Sequence, residues 1–568
     1  MSLFRKKSVT DILEAAEKNQ NGSLARTLGV RDLTAFGIAA IIGAGIFSTI
    51  GKASADGGPG VIFLFIFTAV ACSFAAFAYA EFASLVPVSG SAYTYSYIAF
   101  GELFAWVIGW ALIMEYAIGN VTVAISWSDY FTSLFNNVTP WTVPEWLCMD
   151  YFTAESHHEQ VTGLLANGTT LAGIESDPGT KVLKEGYLAY SNAPRIGIPI
   201  IFDLPALLIN VLITVLVYRG IRESRNAANI MVVIKLAVVL TVIFVGAFFV
   251  NGANWDPFLP HGVAGLLSGI SAVFFAYIGF DAISTTAEEC RNPQRDLPRG
   301  ILASIVICTV LYVAIALVLT GMVNYSELRV GDPLAYVFDK IPSLQWLGVV
   351  ISVSAVVAMA SVMLVFQLGQ PRIWMSMSRD GLLPKRFASV HPKFRTPGFA
   401  TVMTGLMVAV PIFFVDIDMV TDMCSAGTLF AFCLVCAGVL KLRMDKNAPP
   451  SRFRTPYINS RYFVPAIFIA FVVYLVLDNE MRYFDVENAA ALLTNFPVYV
   501  FLAGFAVFSV LAYRHSFSLI PSLGFLCCFY MLSQLGHKNW FYFGGWLLTG
   551  LVIYFVYGRS HSNLAAIK

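Results

Sequence analysis

The residues of this sequence best suited to chemistry are ionisable or helix-breaking residues set inside long apolar runs. Residues 274–284 read FFAYIGFDAIS, with Gly279 and Asp281 at the centre of an apolar run over 262–285. Glycine weakens a helix interior by about 1 kcal/mol, and a carboxylate at mid-bilayer costs about 2.5–3.5 kcal/mol on insertion scales. A chain keeps such groups where interrupted backbone and a polar side chain line a cavity inside the protein. The plain alternative is a packing glycine and an aspartate bonded to a neighbouring helix. Residues 37–47 read GIAAIIGAGIF, which puts Gly43 and Gly45 in the middle of the first apolar run. Glu115 lies within the third run, and Lys235 is alone among apolar neighbours in the fifth. Glu81 ends the second run and is expected to position the loop after it.

Two interrupted runs favour one kind of ligand. Unwinding frees backbone N–H groups that attract an anion, with helix-end effects of about 0.3–2 kcal/mol. The freed carbonyls, and any acid nearby, attract a cation. An α-amino acid satisfies both. Its carboxylate is expected on Gly43, Ala44 and Gly45, with Ile42 in the same set, and its ammonium on carbonyls near Phe275, Ala276 and Ile278.

The elements that must position these groups follow from composition. The chain has 568 residues, 57% hydrophobic and 12% charged, with mean hydropathy +0.71. Soluble domains carry about 25% charged residues, so this is an all-α polytopic membrane protein. Apolar runs fall at 34–50, 60–86, 101–135, 198–219, 228–251, 262–285, 300–322, 343–370, 398–415, 420–440, 462–478, 494–513, 517–534 and 540–558, giving fourteen expected transmembrane helices. Inner segments are rich in Lys and Arg (Arg5, Lys6 and Lys7; Arg219, Arg222 and Arg225; Arg291, Arg295 and Arg299; 372–395; 441–461), whereas 416–418 and 479–495 are poor in them. That asymmetry puts both termini in the cytoplasm and the insertion 136–197 outside. The insertion is read as a surface cap; it carries the glycosylation-type triplets at Asn137 and Asn167. Runs 1 and 6 lie five helices apart, so a repeat of runs 1–5 by runs 6–10 is inverted in the membrane. Interrupted segments at matching positions of inverted repeats point to a transporter's substrate site.

Several strings resemble a known family. IIGAGIF in run 1, YAEFASLVPVSGSAYTYSY after run 2, FFAYIGFDAISTTAEECRNPQRDLPRGI around run 6 and GQPRIWMSMSRDGLLPKRFASVHPKFRTP after run 8 are similar to the amino acid–polyamine–organocation (APC) superfamily. The C-terminal SLIPSLGFLCCFYMLSQL and GGWLLTGLVIYFVYGRSHS resemble its cationic amino acid transporter branch. The resemblance covers nearly the whole chain. It implies a LeuT-type 5+5 inverted repeat with additional C-terminal helices. The expected division is a cytoplasmic N-terminus 1–33, a first repeat 34–251, a second repeat 262–441, four further helices in 462–558, and a cytoplasmic C-terminus 559–568. It also implies that Glu115 and Asp281 face the substrate cavity, where two acids favour a cationic side chain, and that Tyr312 and Met359 line the side-chain pocket. Family members that carry arginine well tend to have a small residue at the Met359 position, so Met359 argues for smaller or mixed substrates. Structural packing remains the alternative for each of these residues. A lysine matching Lys235 occupies the space of a sodium ion in proton-coupled relatives, which implies a proton gained and lost at Lys235 during the cycle.

The leading expectation is secondary transport of cationic or small neutral L-amino acids with proton symport, in a cell membrane. An exchanger of the same fold and a sensor that binds without transport remain open. No metal-ligand motif, nucleophile elbow or phosphate-binding loop is present in the sequence; hence no enzyme activity, metal or cofactor is expected, and no nucleic acid partner. Expected partners are the amino acid, protons and the lipid bilayer. A small single-span accessory subunit is a further candidate, and the oligomeric state is not legible.

Overall fold

A computed structural model describes residues 5–7, 28–86, 91–176, 181–220, 224–394, 396–445, 453–477 and 489–566. The basic residues Arg222, Arg395 and Arg452, and the acidic stretch 479–488, lie outside them. Among the described residues the regular structure is helical apart from a two-residue β-ladder in the insertion and two isolated bridges, as the long apolar runs dictate: without water, backbone polar groups must bond within their own segment. In order, the helices are α1 (Val30–Ile41), α2 (Ile50–Gly57), α3 (Val61–Leu85), α4 (Ser91–Ala99) and α5 (Glu102–Val138). The insertion contributes α6 (Tyr151–Ala166), α7 (Leu171–Ser176), α8 (Lys181–Asn192), β1 (Arg195–Ile196) and β2 (Ile198–Pro199). Then come α9 (Leu204–Arg219), α10 (Ser224–Ala247), α11 (Gly262–Ser268), α12 (Ile270–Phe275), α13 (Pro293–Met322), α14 (Pro333–Asp339), α15 (Gln345–Arg379), α16 (Gly398–Ile412) and α17 (Ile417–Met444). There follow α18 (Phe463–Leu477), α19 (Ala489–His515), α20 (Leu519–Gln534) and α21 (His537–Ile553), then a π turn at Tyr554–Gly558 and two short helices, α22 (Arg559–His561) and α23 (Asn563–Ala566).

Among the described residues, seven helices are long and apolar enough to cross a membrane, or eight if α11 and the segment after it, bent by 42°, count as one. Five shorter apolar helices, α9, the end of α10, α16, α18 and α20, accompany them. The protein is therefore a multi-pass membrane protein. Large apolar side chains such as Phe244, Val310 and Val552 stay exposed on the outer faces, as lipid-facing residues should.

Both expected interruptions are present. α1 stops at Ile41 because Ile42 turns to extended backbone (φ −76°, ψ 99°), and the chain resumes as a π-helical turn, Gly45–Thr49. α12 stops at Phe275. A turn follows in which Gly279 adopts φ +115°, and a 3₁₀ segment, Phe280–Glu289, carries the chain on. Only glycine takes that φ without strain. α3 and α13 pack side by side, α1 lies against α13, and α5 packs against both α15 and α17. The two interruptions thus meet inside a ring of long helices.

The insertion is more ordered than a plain polar loop. α6 and α8 pack over a small core of Ala154, Ala189, Ala193 and Ile201. The unit docks where α16 meets α17: the Tyr151 N–H donates to Phe413 O at 3.2 Å, and the Phe152 and Phe414 rings lie 6.3 Å apart.

Candidate substrate site

Glycine lets the two interruptions touch. A Cβ on Gly45 would stand 2.3 Å from the Ala276 Cα, and one on Gly279 would stand 2.9 Å from Ala40 O. A Cβ on Gly43 would meet a Val362 methyl at 2.6 Å, which ties α15 to the same layer. Met359, one turn earlier on α15, is fully buried. Thr49 donates to both Gly45 O (2.9 Å) and Ala272 O (3.1 Å), and the Tyr130 hydroxyl donates to Phe47 O at 2.6 Å. Backbone from both halves of the chain is therefore pinned within one layer.

Two side chains hold the carbonyls freed by the interruptions. Lys235 is fully buried, and its ammonium donates to Ala39 O at 3.1 Å and Ile42 O at 3.0 Å. The Tyr312 hydroxyl lies 2.9 Å from both Ile41 O and Ala276 O, so one phenol proton is shared between the two breaks. The Tyr312 hydroxyl thus acts on the backbone of both breaks. The reason is geometric, since the α12 break turns Ala276 O toward α13. Across that break the Ile278 N–H donates to Phe275 O at 3.2 Å. Ala276 O keeps a second lone pair for another donor.

The two acids come from α5 and from the segment after the α12 break. Glu115 sits on α5 against α17, where the Cys424 thiol donates to its carbonyl at 3.5 Å. Asp281 follows Gly279 by two residues, and Ser284 Oγ donates to its carbonyl at 2.6 Å. Each acid keeps one buried carboxylate oxygen without a hydrogen-bond partner, and each lies in the other's field. Glu81 stands apart from this group. It accepts from Arg443 Nε at 2.8 Å and from the Thr455 N–H at 3.0 Å, so it fastens the end of α3 to the end of α17 and the chain after it.

Sequence reasoning missed four residues of this region: Thr49, Tyr79, Tyr130 and Val362. Tyr79 alone left a signal, since it opens the YAEF string near the end of the second run. Val362 could not be found, because one valine in an apolar helix is like any other until its neighbour is known.

The match to known proteins covers the whole of this arrangement. A family model described as amino acid permease matches residues 28–508, and one described as the C-terminus of the permease matches 518–562. The chain belongs to the amino acid permease family. Proteins similar to this permease include the branched-chain amino acid permease BcaP of Bacillus subtilis (strain 168), 37% identical over 564 residues and aligned over 99% of both chains. The methylthioribose transporter of the same organism is 36% identical over 564 residues, with the same coverage. The vacuolar cationic amino acid transporter 4 of Arabidopsis thaliana is 30% identical over 630 residues, covering 99% of this chain and 96% of that one. These relatives agree with the resemblance to the APC superfamily and its cationic amino acid transporter branch. The family is one of carriers, not enzymes.

Proposed function

We propose that this permease is a secondary active transporter of cationic or small neutral L-amino acids, working by alternating access and driven by proton symport. The observation that carries the reading is the joint hold on the two breaks, by Lys235 on Ala39 O and Ile42 O and by Tyr312 on Ile41 O and Ala276 O. The substrate carboxylate binds the N–H groups of Gly43, Ala44 and Gly45, beside Ile42. The substrate ammonium takes the remaining lone pairs of Phe275 O, Ala276 O and Ile278 O. The side chain extends toward Glu115 and Asp281, with Met359 limiting its volume.

Coupling follows from the Lys235 donors. A charged ammonium makes charge-assisted bonds to the end of α1, roughly twice as strong as neutral ones. When the proton leaves, those bonds weaken and the first break is free to move. Substrate and proton therefore act on the same backbone. In this reading residues 34–251 and 262–441 are the inverted repeats of a LeuT-type core, residues 462–558 add four more of fourteen transmembrane helices, and both termini face the cytoplasm of a cell membrane. The branched-chain permease and the cationic amino acid transporter among the relatives support an amino acid as the substrate.

The test is uptake of labelled arginine, lysine, ornithine and alanine into proteoliposomes, with and without an inward proton gradient. Gradient-driven accumulation is expected. Counterflow that ignores the gradient would point to an exchanger of the same fold, and saturable binding with no flux would point to a sensor.

A further inference from the structure

The insertion holds an apolar tip out of its own core. β1 and β2 pair antiparallel, with Ile196 facing Ile198 across Gly197, which turns the chain at φ +81°. Ile196 is 81% exposed and Ile198 68%, and a Cβ on Gly197 would meet no described atom within 4 Å. The base of this hairpin is fixed. The Ile200 N–H donates to Pro194 O at 2.8 Å, and the Phe202 N–H donates to Trp146 O at 3.1 Å. Ala193 and Ile201 belong to the core under α6 and α8. Asp203 then caps α9, accepting from the Ala206 N–H at 2.9 Å and from the Ser128 hydroxyl of α5 at 2.6 Å. The tip is therefore held at a set height, a few residues before α9.

Helix lengths give that height. α9 has 16 residues and ends on Arg219. At about 1.5 Å per residue it is about 24 Å long, less than the about 30 Å of a hydrocarbon layer. Its exposed Leu208, Val211, Leu212 and Val215 face lipid. With the Arg219 head at one membrane surface, Leu204 stands no higher than the rim of the hydrocarbon at the other, and the hairpin joined to it lies at the boundary of acyl chains and headgroups. α16, packed against α9, repeats the pattern. Its exposed stripe of Val402, Leu406 and Val410 runs on to Phe414, and the exposed Phe152 of α6 lies 6.3 Å from that ring. The apolar rim of the insertion thus continues the lipid-facing surface of two helices. Contiguous exposed apolar side chains of this kind mark a contact surface.

We propose that the hairpin 195–199 is a membrane anchor, its tip seated in the leaflet that Leu204 and Phe414 reach. Ile196 and Ile198 take the acyl side of the boundary. The Arg195 guanidinium, 5.9 Å from the Tyr190 ring, stays at headgroup level. The insertion is then a cap tethered twice, to the α16–α17 turn and to the bilayer.

The test is a nitrobenzoxadiazole label on Ile196→Cys in phosphatidylcholine nanodiscs, with and without lipid carrying a doxyl group high on the acyl chain. Wild type treated alike gives the background of the nine native cysteines. Thr169→Cys, at an exposed position of the same insertion, gives the value for water. The label at position 196 is expected to be quenched by the doxyl lipid about twofold or more beyond that at 169, and to be shielded from aqueous iodide. Equal iodide quenching at both positions, with no doxyl effect, puts the tip in water and overturns the anchor. Shielding from iodide without doxyl quenching means that a second copy of the chain covers the tip, and overturns it as well. Should Ile196→Cys not assemble, Ile198→Cys reads the same contact from the facing strand, and a water-like result there overturns the proposal. None of these readings depends on transport.

Discussion

Lys235 works by bringing an ammonium to the end of α1, with two carbonyls, Ala39 O and Ile42 O, at 3.1 and 3.0 Å. Replacing it with methionine keeps most of the volume and removes both bonds. Gradient-driven uptake by Lys235→Met is expected to fall by more than about 100-fold, on the basis of two charged hydrogen bonds at about 1.5–3 kcal/mol each. Equilibrium binding of substrate should persist in part, and undiminished pH-driven uptake in that variant would refute proton coupling through Lys235. Tyr312→Phe removes only the hydroxyl between the two breaks, while its ring still packs on Phe65 and Tyr277, 5.8 and 5.4 Å away. Transport is expected to drop about tenfold with the melting temperature nearly unchanged, because a single buried hydrogen bond is worth about 1 kcal/mol. Outside the membrane, burial, then the neighbouring Asp418 and Asp150, pushes the Asp416 carboxyl up to about 6. A folded value above the unfolded one means a contribution to stability that is present at low pH and lost as pH rises through about 6. Asp416 also caps α17, accepting from the Asp418 N–H at 3.2 Å, and asparagine caps as well. Asp416→Asn should therefore raise the melting temperature by about 1–3 °C at pH 8 and leave it unchanged near pH 4; an equal effect at both would refute the charge argument.

At the scale of elements, the site exists because two helices end early against each other. Gly45 is the contact point, and the atom a side chain would strike there is backbone, the Ala276 Cα at 2.3 Å. Backbone cannot swing aside as a side-chain tip can. Gly45→Ala is expected to part the two breaks and abolish uptake in liposomes while the chain still inserts and folds, since the long helices α3, α5, α13 and α15 do not depend on that contact. Retention of more than about a tenth of wild-type uptake would show that the layer gives more easily than close packing allows.

Over the whole molecule, the two ends of the chain are fastened to each other. Glu102, fully buried at the start of α5, accepts from Arg5 Nη2 at 3.1 Å, from the Tyr97 hydroxyl at 3.0 Å, from the Tyr554 hydroxyl at 2.9 Å and from Ser562. Lys7 pairs with Asp380, which also accepts from the Tyr93 hydroxyl at 2.6 Å. Elsewhere Lys52 bonds Asp418 at 2.8 Å, bringing the start of α2 to the start of α17. Glu102→Gln would leave Arg5 without its counter-charge; removing one member of a buried pair costs about 3–5 kcal/mol, less here because Arg5 is partly exposed. Faster proteolysis of both termini is expected, and an unchanged cleavage rate would mean that the fastening adds nothing to stability.

What could be read from the sequence was whatever depends on neighbours along the chain. Run length and missing charge are local, so they determined a multi-pass helical membrane protein, and the strings around runs 1, 6 and 8 determined its family. The weak points at Gly43, Gly45 and Gly279 were legible for the same reason, because a helix is made or broken by residues within one turn. Partners across the fold were not legible. Lys235 and Ile42 are 193 positions apart, Tyr312 and Ile41 are 271 apart, and no periodicity records which carbonyl a buried hydroxyl or ammonium will meet. Val362 and the fastening of Arg5 to Ser562 through Glu102 belong to that second kind. Only the packing of helices against one another decided them, because a side chain in an apolar segment takes its meaning from the segment it touches.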